Sequence, residues 1–138
     1  MKETLTAGII HEFKYTVPES KTVPHLYPEA AEFQKMPQVF ATGFLVGLIE
    51  WTCIQAINPH IDWPEEQSVG IGINLNHTAA TPPGLHVVVK VRLVEVVGKR
   101  LVFKFEANDG IDSICKGSHE RFVIDAGKFA EKLKIKSV

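Results

Sequence analysis

From Val39 to Asn58 the chain reads VFATGFLVGLIEWTCIQAIN, an almost unbroken apolar run with one ionisable residue, Glu50, near its centre. About 20 apolar residues can cross a bilayer. However, a carboxylate at mid-span costs roughly 2.5 to 3.5 kcal/mol, and no cationic anchors flank this one. A buried helix of a soluble protein is the better reading. The helix is predicted from Thr42 to about Ile57, started by the Thr42-Gly43 cap signal and stopped by Asn58-Pro59. It would be about 24 Å long, and because it is apolar nearly all round it has to be wrapped by other structure.

The wrapping material follows it. Strands are predicted over residues 68–79, 85–97, 100–108 and 112–124, with no second long helix among them. In the second, Val87, Val89, Val91 and Leu93 face one way against His86, Lys90 and Arg92; in the third, Leu101, Phe103 and Phe105 face in. Gly98-Lys99 and Asn108-Asp109-Gly110 mark hairpins. Ahead of the helix, residues 7–16 read as a strand. Residues 17–37, with Pro18, Pro24, Pro28 and Pro37, read as an ordered loop with one helical turn. The order is strand, loop, buried helix, antiparallel meander. A curled antiparallel sheet around one central helix buries both, an α+β arrangement known as the hot-dog fold, with residues 1–138 as its single domain.

A net charge of -1 and a pI near 6.6 give no basic footprint, so neither nucleic acid nor an anionic membrane is an expected partner. A small molecule is. Cys53 and Cys115 lie in apolar contexts without CxxC spacing, which indicates neither a disulfide framework nor a thiolate metal site. The opening MKETLTAGIIHEF does not read as a signal peptide, and a cytoplasmic setting is expected. Histidines 11, 25, 60, 77, 86 and 119 show no metal-ligand spacing. No GxSxG elbow, Walker loop, HExxH or dinucleotide-binding glycine pattern occurs.

Four polar residues stand in apolar places. In VGIGINLNHTAATPPG, Val69, Ile71, Ile73 and Leu75 alternate onto one strand face, and His77 is the next residue on it. Glu50 is the matching anomaly on the helix. Either could be structural, Glu50 on an exposed stripe and His77 as a satisfied core residue. Alternatively, each resolves the other's burial, as a general base with its orienting partner. Thr42 is a simple N-cap, or it marks free N–H groups that hold a developing oxyanion, with Gly43 allowing close approach. Arg121 shares a strand face with Cys115, Gly117, His119 and Val123, and would bind a phosphate or carboxylate or form a surface ion pair.

The blocks HLYPE (25–29), VFATGFLVGLIEW (39–51), HTAATPPG (77–84) and DGIDSICKGSHER (109–121) resemble the fluoroacetyl-CoA thioesterase family of hot-dog enzymes, over roughly residues 8–133. The resemblance implies hydrolysis of a short-chain acyl-CoA, a homodimer, and no metal or redox cofactor. It implies catalytic roles for Thr42, Glu50 and His77, and places Gly70 and Arg121 in the site. The family's lid over the acyl group has two phenylalanines; here the positions hold Phe33 and Met36. Competing expectations are an enoyl-CoA hydratase or dehydratase on the same fold, and a non-catalytic acyl-CoA-binding module.

Overall fold

Val87, Val89, Val91 and Leu93, and opposite them Leu101, Phe103 and Phe105, form rows that are 0–5% exposed, as the buried side of a half-solvated antiparallel sheet requires. In the computed structural model, which describes residues 1–137, these rows belong to β3 (His86–Val97) and β4 (Arg100–Asn108). Their hairpin turns at Gly98, whose φ of +58° only glycine adopts freely. β5 (Ser113–Asp125) pairs with β4, and β1 (Ile10–Thr16) with β3. The fifth strand, β2 (Glu66–His77), pairs with β5, giving the all-antiparallel order β1-β3-β4-β5-β2.

This is the expected architecture, with one difference in topology. β3, β4 and β5 make the meander, whereas β2 crosses to the far edge instead of lying beside β3. The β2–β3 connection, with Pro82-Pro83, is not a tight hairpin turn. It is anchored elsewhere: the Phe40 amide donates to the Thr81 carbonyl at 2.8 Å, and the buried Thr81 hydroxyl donates to Asp109 Oδ2 at 2.7 Å.

The strict alternation expected along β2 is also broken. Gly70 opposes Arg121 and Ile73 opposes His119, and opposed residues share a face. Ile71 is therefore the extra residue of a β-bulge. The inward row is Ser68, Gly70, Ile73, Leu75 and His77; Val69, expected inward, lies with Phe122 on the other side. The bulge turns Gly70 toward the helix while leaving His77 facing it too.

Before the helix, residues 31–34 form the single turn α1 (Ala31–Gln34). The long helix α2 spans Thr42–Ile57 as predicted and lays Leu45, Leu48, Ile49, Cys53, Ala56 and Ile57 on the sheet. Each large aliphatic side chain so buried contributes roughly 1.5–3 kcal/mol. The helix is not wrapped all round, however, because Gly43, Gly47 and Trp51 remain exposed. Trp51 is 48% exposed and packs edge-on against Phe13 of β1, centroids 4.7 Å apart. A last helix, α3 (Ala126–Leu133), was not anticipated from the sequence; Asp125 caps it, accepting the Lys128 amide at 2.9 Å. Among the described residues no helix is long and apolar enough to cross a membrane.

The Thr81–Asp109 link gives a stability prediction. Burial pushes the Asp109 carboxyl up, but hydrogen bonds from the Asp112 amide, the Thr81 hydroxyl and the Ile111 amide outweigh it and hold the group below the usual range. Such a carboxylate stabilises the fold above its unfolded pKa of about 3.9, and that contribution is lost as pH falls through the lower folded value. Thr81→Val should cost about 1–3 kcal/mol in urea denaturation at pH 7. The stability gap between wild type and Asp109→Asn should be full at neutral pH and close only below about pH 3.9.

Candidate active site

The inward face of β5 carries a cation into the core: Arg121 is 3% exposed. A charge in that position has to be paired and hydrogen-bonded. Its Nε donates to Ser68 Oγ and its Nη2 to the Ser68 carbonyl, both at 2.8 Å. Nη1 donates to Glu50 Oε2 at 2.8 Å and to His119 Nε2 at 3.1 Å. Glu50 reaches this cluster from the middle of α2 with its side chain 38% exposed, so it is neither on a bare stripe nor fully buried. Gly70 faces the pair across the sheet. A Cβ there would lie 2.7 Å from Glu50 Oε2, so the position has to be glycine for the carboxylate to sit where it does.

Thr42 and His77 form a second cluster at the N-terminal end of α2. Thr42 is the first residue of the helix and Ala41 stands at the N-cap, with no side chain capping the end. The Thr42 hydroxyl does not cap; instead Oγ1 shares a 2.8 Å hydrogen bond with His77 Nδ1. His77 Nε2 is buried and has no partner. Burial pushes the imidazole below the usual histidine range, opposed by the backbone at Ala79. A cavity of about 280 Å³ opens beside both side chains, bordered also by Val23, Val39, Phe40 and Ala79. The uncapped amides at this helix end are oriented to receive negative charge. Gly43 answers to packing: a Cβ would stand 2.9 Å from Leu26 Cδ2 of the preceding loop.

The expected Glu50–His77 pair is not formed within the chain; Glu50 is bound to Arg121 and His77 to Thr42. The reason is helical rise, since Thr42 and Glu50 are about 12 Å apart along the α2 axis. Phe33 stacks on Tyr27, centroids 6.1 Å apart, and Met36 is 48% exposed; neither borders the cavity. Arg121 is an interior ligand of a carboxylate and not part of a surface ion pair. The sequence places His119 on the Arg121 face but signals no role for it. Among the described residues no three His, Cys, Asp or Glu side chains gather as a metal would require. Cys53 and Cys115 are both buried and free, and burial pushes the Cys53 thiol up to about 12.

A sequence model of the fluoroacetyl-CoA-specific thioesterase family (FlK) matches residues 17–127. The fluoroacetyl-CoA thioesterase of Streptantibioticus cattleyicolor is 48% identical over 137 residues, covering 99% of this chain and 98% of that protein. A crystal structure of a variant of the fluoroacetyl-CoA-specific thioesterase in complex with fluoroacetate and CoA superposes with a TM-score of 0.88 at 50% identity, covering 91% of this chain and 99% of that one. A Thermus thermophilus thioesterase superfamily member shares the fold, with a TM-score of 0.82 at 24% identity over 96% of this chain and 93% of that one.

Gly70→Ala should therefore displace the Glu50 carboxylate, because a fixed Cβ cannot share space with an oxygen at 2.7 Å. The change in stability should be small, because the atom that gives way is the tip of a flexible, partly exposed side chain. A crystal structure of the variant should show Glu50 turned away from Arg121; an unmoved carboxylate would refute the close-approach reading.

Proposed function

We propose that this chain, which belongs to the fluoroacetyl-CoA-specific thioesterase family, hydrolyses the thioester of a short acyl-CoA to the free acid and CoA. Fluoroacetyl-CoA, the substrate in the name of its relatives, is the first candidate. One observation carries the reading: His77 presents an unpaired, buried Nε2 beside a cavity at an uncapped helix N-terminus, with Nδ1 tied to Thr42. When the ring proton sits on Nδ1 and is donated to Thr42, the bare Nε2 is a base and the threonine hydroxyl remains free to donate to a substrate oxygen. The helix amides then stabilise the carbonyl oxygen as it becomes an oxyanion.

Two proton transfers fit Nε2. It takes a proton from water as the oxygen adds to the thioester carbonyl, and the departing CoA thiolate recovers that proton when the carbon–sulfur bond breaks. For a fluorinated acyl group it takes the proton from the carbon next to the carbonyl, which fluorine acidifies. The resulting enolate expels CoA thiolate to leave a ketene, water adds to the ketene to give the acid, and the thiolate recovers the proton from Nε2. Glu50, fixed by Arg121, is the carboxylate of the reaction, as water activator or as nucleophile.

A homodimer supplies the missing proximity between the two clusters. β2 is an edge strand with Ile71 50% and Ile73 38% exposed, and such an edge invites a partner. Antiparallel pairing of β2 with its two-fold mate, centred near residues 73 and 74, sets His77 of one copy beside Gly70 of the other. Thr42 and His77 would then share one site with the partner subunit's Glu50. Phe33 and Met36 would lie at its acyl end, with methionine sealing it less tightly than phenylalanine.

The test is thiol release from acetyl-, fluoroacetyl-, propionyl- and longer acyl-CoA esters. His77→Ala should lower kcat at least about 100-fold, the usual size of an acid–base contribution. The acid limb of kcat/KM should fall below pH 6.5, since the free imidazole is held below the ordinary histidine value. Near-normal turnover by His77→Ala, or a hydroxyacyl product from an enoyl-CoA without thiol release, rejects the assignment. Met36→Phe should raise the preference for fluoroacetyl- over acetyl-CoA; a ratio that stays put removes Met36 from the acyl pocket.

A further inference from the structure

His119 is 2% exposed and makes two hydrogen bonds whose partners leave no choice of roles. Nδ1 lies 2.7 Å from the Gly72 carbonyl oxygen, which can only accept, so Nδ1 carries the proton. Nε2 lies 3.1 Å from Arg121 Nη1, which can only donate, so Nε2 is bare. The surroundings therefore fix one tautomer of the neutral ring. A proton on Nε2 would put N–H against N–H and a second positive charge beside the guanidinium.

We propose that His119 is a positioning residue: as a neutral Nδ1–H imidazole it joins the β2 bulge to the Arg121 guanidinium and thereby aims Glu50 at the substrate. This rests on the reading of Glu50 as a reacting carboxylate.

The linkage is continuous through the structure. Gly72 is the first residue after the bulge that sets Gly70 against Glu50. The imidazole holds that carbonyl with one nitrogen and Arg121 with the other. Arg121 is clamped by Ser68 at two further points, so four of its five N–H groups are committed and the Nη1 direction toward Glu50 is set. Without His119, one of the two Nη1 protons would lose its acceptor and the guanidinium would be free to turn from the direction it holds toward Glu50, while the Gly72 carbonyl would lose its donor.

The charged groups around the ring are Arg121 and Glu120 on β5 and Glu50 on α2. From β4 the facing residue is Phe103 and from β2 it is Ile73, neither titratable. Burial pushes the ring below the usual histidine range, with the Gly72 carbonyl opposing and Arg121 adding to the shift. That direction agrees with a ring kept neutral.

The experiment is a double-mutant cycle on thiol release, with His119→Phe, Glu50→Gln and the pair together. His119→Phe should lower kcat about 10- to 100-fold, the range for groups that orient a site residue, with KM nearly unchanged. In the Glu50→Gln background the same change should cost less than about 2-fold, because an effect that travels through Glu50 is not additive with its removal. A full additional loss there, or a change confined to KM, overturns the positioning role while leaving the thioesterase reading intact. Undiminished turnover by Glu50→Gln alone rejects the site reading and this proposal together. Should His119→Phe fail to fold, His119→Leu, which is smaller and equally lacks an acceptor for Arg121, takes its place in the cycle. Independently, imidazole nitrogen NMR of the wild-type protein should show His119 at pH 7 as the neutral Nδ1–H tautomer. An imidazolium or the opposite tautomer overturns the proposal.

Discussion

A guanidinium 3% exposed in the interior of a small sheet is the constraint to which the rest of the site conforms. Stripping water from such a charge costs several kcal/mol unless its hydrogens find acceptors. The chain supplies them from three elements: Ser68 on β2, His119 on β5 itself, and Glu50 on the helix. Two other features follow from that demand. The bulge after Gly70 brings a strand position without a side chain against the carboxylate, and the helix carries its lone acidic residue at the height of the guanidinium. The ion pair is thus better regarded as a device for holding Glu50 still than as a source of stability, since exchange of a buried pair for apolar residues is often neutral.

The second cluster obeys a different logic. Thr42 and His77 meet where the helix begins, and their mutual hydrogen bond leaves one imidazole nitrogen buried and unused. A lost hydrogen bond in the interior is costly, and a working site is one place where such a cost is tolerated, because a substrate or water completes the bond. The adjacent cavity and the uncapped start of α2 lie at the same place. Ile71 and Ile73 on the β2 edge and the Gly43, Gly47 and Trp51 stripe of α2 are likewise exposed.

Much of this was legible before any coordinates. The unbroken apolar character of residues 42–57 and the alternation in 87–93 and 101–105 dictated a helix against a half-buried antiparallel sheet, because period and polarity alone decide which face is solvated. The start of α2 and both ends of β4 agree with prediction. α3 was missed, although Asp125 is a standard N-cap and Phe129 and Leu133 stand four apart. Thr42, Glu50, His77 and Arg121 stood out because a polar group on an apolar face demands an explanation.

What the sequence could not decide was who pairs with whom. Alternation is blind to a bulge and assigns Gly70 to the wrong face; one extra residue inverts every side chain upstream of it. Adjacency in sequence suggested that β2 neighbours β3, whereas long-range pairing with β5 places it at the edge, opposite Arg121. Chemistry alone matches Glu50 with His77, and the rise of the helix between Thr42 and Glu50 separates them within the chain. Polar residues set in apolar places are written in the chain because the pattern of polarity is a local property. Their partners are set by strand register and helix geometry, which exist only once distant segments have packed.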